Sequence, residues 1–274
     1  MTQQYDPESY WQSRLSGKLD LTTVGCSRLG QSYNLWLYRA RFRAVRRALT
    51  TLNLDFSAKS LMDIGVGSGA WIPFWQRRGV SRIVGLDITS ASVSGLRGRY
   101  PQLRFVQGDV GSPSCVVAGE QFDVVTAFDV LFHITDDGSF SNAIANISKL
   151  VKLSGWVLMS DGFCAEAWGP AFHEYHRSYG HYLRELRAVG LEPVYVEPIF
   201  YTMTPALRDA ESRCDHALAL FTTMALGFVK KLASRPGTER LNHVTGCSLY
   251  LMDGILSRLT RAAPSLKILV AKKR

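Results

Sequence analysis

No run of 18 or more apolar residues occurs in this 274-residue chain, so no membrane-spanning helix is expected. The opening stretch, MTQQYDPESYW, holds neither a basic n-region nor an apolar h-region, which argues against a secretory signal. Cysteine is sparse. Cys26, Cys115, Cys164, Cys214 and Cys247 are scattered and make no C-x-x-C pair. They read as reduced thiols of a cytoplasmic protein, not as a disulfide frame or a zinc site. No internal repeat and no low-complexity basic tail is visible, AKKR at the end being too short. Acidic residues are in deficit, 23 Asp and Glu against 32 Lys and Arg, giving a net charge of +9. That balance favours anionic partners or is simply a basic surface.

What is present is an alternation of short apolar runs and helical patterns. Residues 1 to 33 are polar and irregular, with a short helix over PESYWQSRL. In NLWLYRARFRAVRRALTTL, residues Tyr38, Phe42, Val45, Leu49 and Leu52 recur at helical spacing. Arg39, Arg43, Arg46 and Arg47 gather on the other side, expected to be a solvated face. From residue 59 onward, SLMDIGV, RIVGLDI, LRFVQGDV, FDVVTAFDV and GWVLMSD alternate with helices, one of them lined by Phe140, Ile144, Ile147 and Val151. Such alternation predicts βαβ units and a parallel sheet covered on both faces. LEPVYVEPIFYTM carries Pro193 and Pro198, so that strand belongs at a sheet edge. LKILVAKK is the last strand. The expected organisation is an N-terminal helical segment (1–57), an α/β core (58–203), a helical lid insertion (204–264) and a final core strand (265–274).

LMDIGVGSGAW links the first strand to the first helix of the core. Gly65, Gly67 and Gly69 let backbone approach a ligand closely, because no Cβ intervenes. In an open parallel sheet this turn lies at the carboxyl ends of the strands, where ligands bind. Gly65, Gly67 and Ala70 also satisfy the dinucleotide fingerprint G-x-G-x-x-A. Three acids bear on the choice of cofactor, although a ribose-binding Asp87 suits both. Asp63 precedes the glycines, where a pyrophosphate would be repelled but a cationic amino group tolerated. Asp87 ends the second strand, where a carboxylate can bridge two ribose hydroxyls. Asp109 ends the third, where it can accept from an adenine amine.

DIGVGSG, GLDI, GDV and FDVVTAFDVLFHI, in this order and spacing, resemble the class I S-adenosylmethionine-dependent methyltransferases over about residues 58 to 164. The resemblance implies a Rossmann-like, seven-stranded, mostly parallel sheet whose last strand is antiparallel and lies between the fifth strand and the edge. It further implies that Gly65, Gly67 and Gly69 shape the cofactor cradle, that Asp87 holds the ribose and that Asp109 holds the adenine N6. Phe128 or Asp129 would border the methionine moiety. Ile88, Val110 and Tyr38 complete the expected cofactor set, and Asp63 supports the loop or a water on the amino group.

The acceptor is less legible. His133, just past the fourth strand, is the first base candidate, since an unperturbed imidazole titrates near about 6.5. The alternative is a packed histidine bonded to backbone. Glu174 and His176, in FHEYHRSYGHY, are further acid/base or acceptor-binding candidates. Their spacing is not H-E-x-x-H, so no metal site is expected. Aromatic residues near both ends suggest an apolar or aromatic small-molecule acceptor, methylated at O, N or C. A nucleic-acid methyltransferase is the second reading, supported by the charge, but FDVL replaces the N-P-P-Y turn of base methylators, so no nucleic acid is expected. A non-catalytic cofactor-binding protein is the third, and a dinucleotide reductase a distant fourth. The N-terminal segment, weakly anchored by its sequence, offers a contact to a second copy.

Overall fold

The computed structural model describes residues 5–115, 119–204, 224, 237–259 and 265–274. Five parallel strands run in the order of the apolar segments: β1 Ser60–Ile64, β2 Arg82–Asp87, β3 Arg104–Gln107, β4 Phe122–Phe128 and β5 Val151–Asp161. β6 Leu191–Pro198 and β7 Lys267–Lys273 complete a seven-stranded sheet ordered β3-β2-β1-β4-β5-β7-β6. β7 is antiparallel to both neighbours and lies between β5 and β6, as expected from the resemblance. β6 is the edge strand that its two prolines require, and its ladder shifts register between Pro193 and Tyr195.

Helices cover both faces. On one lie α4 Ile72–Gln76 and α3 Gly30–Thr51, the latter an N-terminal helix whose Tyr33, Ala40, Ala44 and Ala48 are fully buried. On the other, α6 Asp137–Leu150 and α7 Tyr179–Ala188 bury Phe140, Ile144, Ile147, Tyr182 and Leu186. α5 Ser90–Arg99 follows β2. Val151, read from periodicity as the last member of the α6 face, instead opens β5 with extended dihedrals and pairs with Phe122. A β-branched residue at a helix end is readily drawn into an adjacent strand.

Two N-terminal pieces precede α3. α1 Pro7–Leu15 starts where Asp6 accepts a hydrogen bond from the Ser9 amide and Pro7 occupies the first turn. The short α2 Leu21–Val24 is capped by Asp20. α1 is tied to its own core: Gln12 Oε1 accepts from the Ala91 amide at 3.2 Å, and Arg14 donates to the carbonyls of Thr23 and Gly25.

Of the segment expected to form a lid, residues 205–223, 225–236 and 260–264 lie outside the described residues. Its described helix, α8 Glu239–Leu259, packs along α3. The approach is close enough that a Cβ on Gly246 would stand 2.7 Å from Trp36 Cδ1. Asp253 pins α8 to the core by accepting from the amides of Tyr201 and Thr202. This packing covers part of the arginine stripe. Arg39 and Arg46 are exposed, but Arg43 is half-buried and donates to the Tyr250 carbonyl at 2.8 Å.

Among the described residues, no helix is long and apolar enough to cross a membrane. Nor does any group of three His, Cys, Asp or Glu stand close enough to hold a metal ion.

Candidate functional site

A cavity of about 310 Å³ opens at the carboxyl ends of β1, β2, β3 and β4. Its floor is the turn after β1. Gly65 and Gly69 both need left-handed backbone, with φ of 67° and 75°. A Cβ on Gly65 would lie 2.3 Å from Val130 Cγ2, and one on Gly69 2.6 Å from Leu96 Cδ2. Gly65 thus lets the turn pass beneath the loop after β4, and Gly69 lets α5 pack. Of the three glycines only Gly65 and Gly67 line the cavity.

Asp87 stands in the cavity wall and organises it. Its Oδ2 accepts from the Gly67 amide at 2.8 Å, and its Oδ1 accepts from the amide and hydroxyl of Thr89. Burial raises its pKa, against the opposing pull of these donors. Ile88 follows it in the wall. Asp109 and Val110 contribute from the end of β3. Asp109 is exposed and accepts from the Gly111 amide at 2.7 Å, which turns its loop toward Ser139 at the start of α6.

Asp63 lies behind this wall, not in it. One carboxylate oxygen accepts from the Thr126 hydroxyl at 2.7 Å; the other is buried without a partner. Burial, reinforced by the neighbouring Asp87 charge, pushes its pKa up to about 7, with the Thr126 bond opposing.

On the β4 side, Phe128 lines the cavity and stacks on Trp71, ring centroids 4.2 Å apart. Tyr38 reaches the same wall from α3. Asp129 follows with an unusual φ of 57°. Its carboxylate is taken by Arg41 of α3, Nε to Oδ2 2.7 Å, and by the Ser160 hydroxyl. Strained dihedrals at a ligand-facing loop persist only where surrounding contacts hold them.

His133 also lines the cavity. Its Nδ1 lies 2.8 Å from the His173 carbonyl. A carbonyl only accepts, so Nδ1 carries the proton and Nε2 keeps its lone pair. The residue is thus bonded to backbone and also lines the cavity. Burial lowers its pKa to about 4, well under the unperturbed value; the neighbouring His173 and His176 add to the lowering.

Glu174 and His176 do not line the cavity. His176 is fully packed between Phe132 and Trp168, its Nδ1 2.6 Å from Asp161 Oδ1. Glu174 Oε1 lies 3.5 Å from His173 Nε2.

Periodicity and motif reading missed a third wall. Tyr5, Pro7 and Trp11, at or before α1, line the cavity, with Trp11 edge-on to His133 at 4.9 Å. The signal available was the Asp6-Pro7 helix start, which places aromatic residues at fixed helical spacing. Among the described lining residues, Asp87, Asp109, Asp129 and Asp136 bring negative charge, while no lysine or arginine is present. That contrasts with the chain's overall charge of +9.

Residues 61–155 match the family model described as "Methyltransferase domain". Among curated proteins, a ubiquinone biosynthesis O-methyltransferase of Albidiferax ferrireducens is 27% identical over 141 residues, 47% of this chain and 54% of that one. A second, from Stutzerimonas stutzeri, is 31% identical over 117 residues, 39% and 46% of the two chains. The chain spans about half the length of these relatives. The solved magnesium protoporphyrin IX methyltransferase of Synechocystis PCC 6803, with SAM bound, superposes with a TM-score of 0.57 over 100% of both chains at 12% identity. At that identity the likeness is one of fold.

Proposed function

We propose that the protein is a class I methyltransferase that transfers a methyl group from S-adenosylmethionine to a small-molecule acceptor, as the methyltransferase-domain match over residues 61–155 supports. The observation that carries this reading is the meeting of Gly65, Gly67, Asp87 and Asp109 around one cavity. The cavity suits a cation. Its charged lining is acidic. The bare Gly65 leaves the backbone open to close approach. Asp87 would hold the ribose hydroxyls, Asp109 the adenine amine, and Ile88 and Val110 the faces of the adenine. Tyr38 and Phe128 would border the methionine part.

S-Adenosylmethionine supplies an electrophilic methyl on a sulfonium. This chain's residues align the acceptor and exclude water, which is most of what such a displacement requires. Tyr5, Trp11 and Tyr38 give the acceptor an apolar, aromatic wall, and the acidic lining disfavours a carboxylate-bearing acceptor. For an oxygen or nitrogen acceptor, the Nε2 lone pair of His133 is placed to take the released proton. Glu174 and His176 are outside the cavity and support the segment that carries His173. The free thiols Cys26, Cys115 and Cys247 support a reducing, cytoplasmic setting.

Calorimetry with S-adenosylhomocysteine and NAD tests the cofactor. Binding of the first and not the second is expected; NAD binding with no S-adenosylhomocysteine heat would overturn the reading. Radiolabelled methyl transfer to a panel of neutral phenols and amines tests the acceptor class.

A further inference from the structure

A second cavity, of about 460 Å³, lies between α3, β6 and α8, and shares no lining residue with the first. Arg43, Arg46 and Arg47 enter it from the last two turns of α3. Among the described residues, the single carboxylate in its wall is Glu197 on β6. Glu197 is already engaged by Arg47 and by the Tyr195 hydroxyl. Neither Arg43 nor Arg46 makes a direct ion pair among the described residues, Asp253 acting on Arg43 only through its field. Arg43 is the more telling of the two. Its guanidinium is held by the Tyr250 carbonyl and lies 4.1 Å from the centre of the Tyr250 ring. Burial disfavours its charged form. A half-buried cation that makes no direct ion pair is costly, and a bound anion reduces that cost. Hydroxyls of Thr50, Thr51 and Ser257 stand in the same wall.

Helix geometry explains the convergence. Arg43, Arg46 and Arg47 are three and four residues apart, so they share one side of α3. α8 approaches that side closely: a Cβ on Gly254 would lie 2.7 Å from an Arg43 terminal nitrogen. Forked guanidiniums with neighbouring hydroxyls match the oxygens of a phosphate, which takes bidentate bonds from arginine. The volume exceeds that of a bare phosphate ion and leaves room for a polar body attached to it.

We propose that this cleft is a binding site for a phosphate monoester, held by Arg43 and Arg46 and separate from the methyl-transfer cavity. The phosphate belongs to a soluble metabolite or to a lipid headgroup, and both sources present the same oxygens. The site does not depend on the methyltransferase reading.

Glycerol 1-phosphate is the soluble probe, titrated calorimetrically into the full chain at constant ionic strength. Vesicles of phosphatidylcholine with and without phosphatidic acid are the lipid probe, read by co-sedimentation. R46Q and the double variant R43Q/R46Q are compared with wild type. Loss of affinity of about tenfold in R46Q, and complete loss in the double variant, supports the site; the responding probe identifies the source. S-Adenosylhomocysteine binding and circular dichroism confirm that each variant is folded. R46Q, at an exposed side chain, keeps the test valid should R43Q loosen α8. Absence of binding to either probe, or equal binding by wild type and folded R46Q, would overturn the proposal.

Discussion

Arg41, near the middle of α3, reaches across to Asp129 at the end of β4 with both Nε and a terminal nitrogen 2.7 Å from one carboxylate oxygen. The pair joins a helix that lies outside the matched domain to a residue in the cavity wall. The guanidinium also lies 5.1 Å from the centre of the Tyr38 ring and 4.9 Å from that of Phe200. Removing one partner strands the other charge. Arg41→Ala is expected to destabilise the protein by about 3 kcal/mol in urea unfolding. In the double variant with Asp129→Asn the losses should be well below additive. Additive losses would mean the two groups do not interact in solution.

Asp87 has two tasks, since it faces the cavity and also fixes Gly67. Asp87→Ala should weaken S-adenosylhomocysteine binding by about 2 to 4 kcal/mol, through lost charge-assisted bonds. It should also cost about 1 to 3 kcal/mol of stability, because the Gly67 and Thr89 donors are left unpaired. Calorimetry and thermal unfolding together separate the two. Unchanged affinity would remove Asp87 from the cofactor site.

Asp63 and His133 make stability respond to pH in opposite directions. The Asp63 pKa is raised in the fold to about 7. The folded state therefore holds this proton after the unfolded state has lost it, and stability falls as pH rises from about 4 to 7, by up to about 1.4 kcal/mol per unit. The His133 pKa is lowered to about 4. Here the unfolded state takes the proton first as pH falls, so stability is lost between about 6.5 and 4. The two slopes offset one another in the wild type. Asp63→Asn should unmask a stability that rises with pH over this interval, and His133→Gln one that falls. Equal slopes in the two variants would contradict both assignments.

For catalysis, the lowered His133 pKa moves the acid limb of the rate profile. If Nε2 is the base, His133→Ala should lower kcat about 100-fold with little change in cofactor affinity. The wild-type single-turnover rate should then stay level down to about pH 5, instead of falling at the about 6.5 of a free imidazole. Near-wild-type turnover in the folded variant would take His133 out of the mechanism.

The core of the fold is legible in the residues because its signals are local. A glycine turn, an acid at a strand end and a proline at an edge each act within a few positions, and the strand order follows from them by topology. What escaped notice depends on contacts across long sequence separations. Tyr5 and Trp11 belong to the cavity because α1 is held against α5 by Gln12, some 79 positions from its partner Ala91. His176 looked like a candidate for chemistry because histidine is the common base. Its partner Asp161 lies 15 residues earlier at the end of β5, and only the folded chain shows that the pair is packed away. The arginine stripe looked solvated because α8, which covers Arg43, comes some 200 residues later.

The position of β7 has a consequence for how the chain is made. Residues 267–273 form an interior strand, hydrogen-bonded on both sides. A nascent chain arrested before residue 267 holds β5 and β6 with facing, unpaired edges, and such edges invite pairing with other chains. The ribosome thus releases most of the sheet before the strand that joins its two parts exists. During synthesis the antiparallel partner of β6 is missing, and β1 to β5 wait with one flank open. Expression of this protein should accordingly be sensitive to changes confined to residues 267–273 that disturb their pairing with β5 and β6.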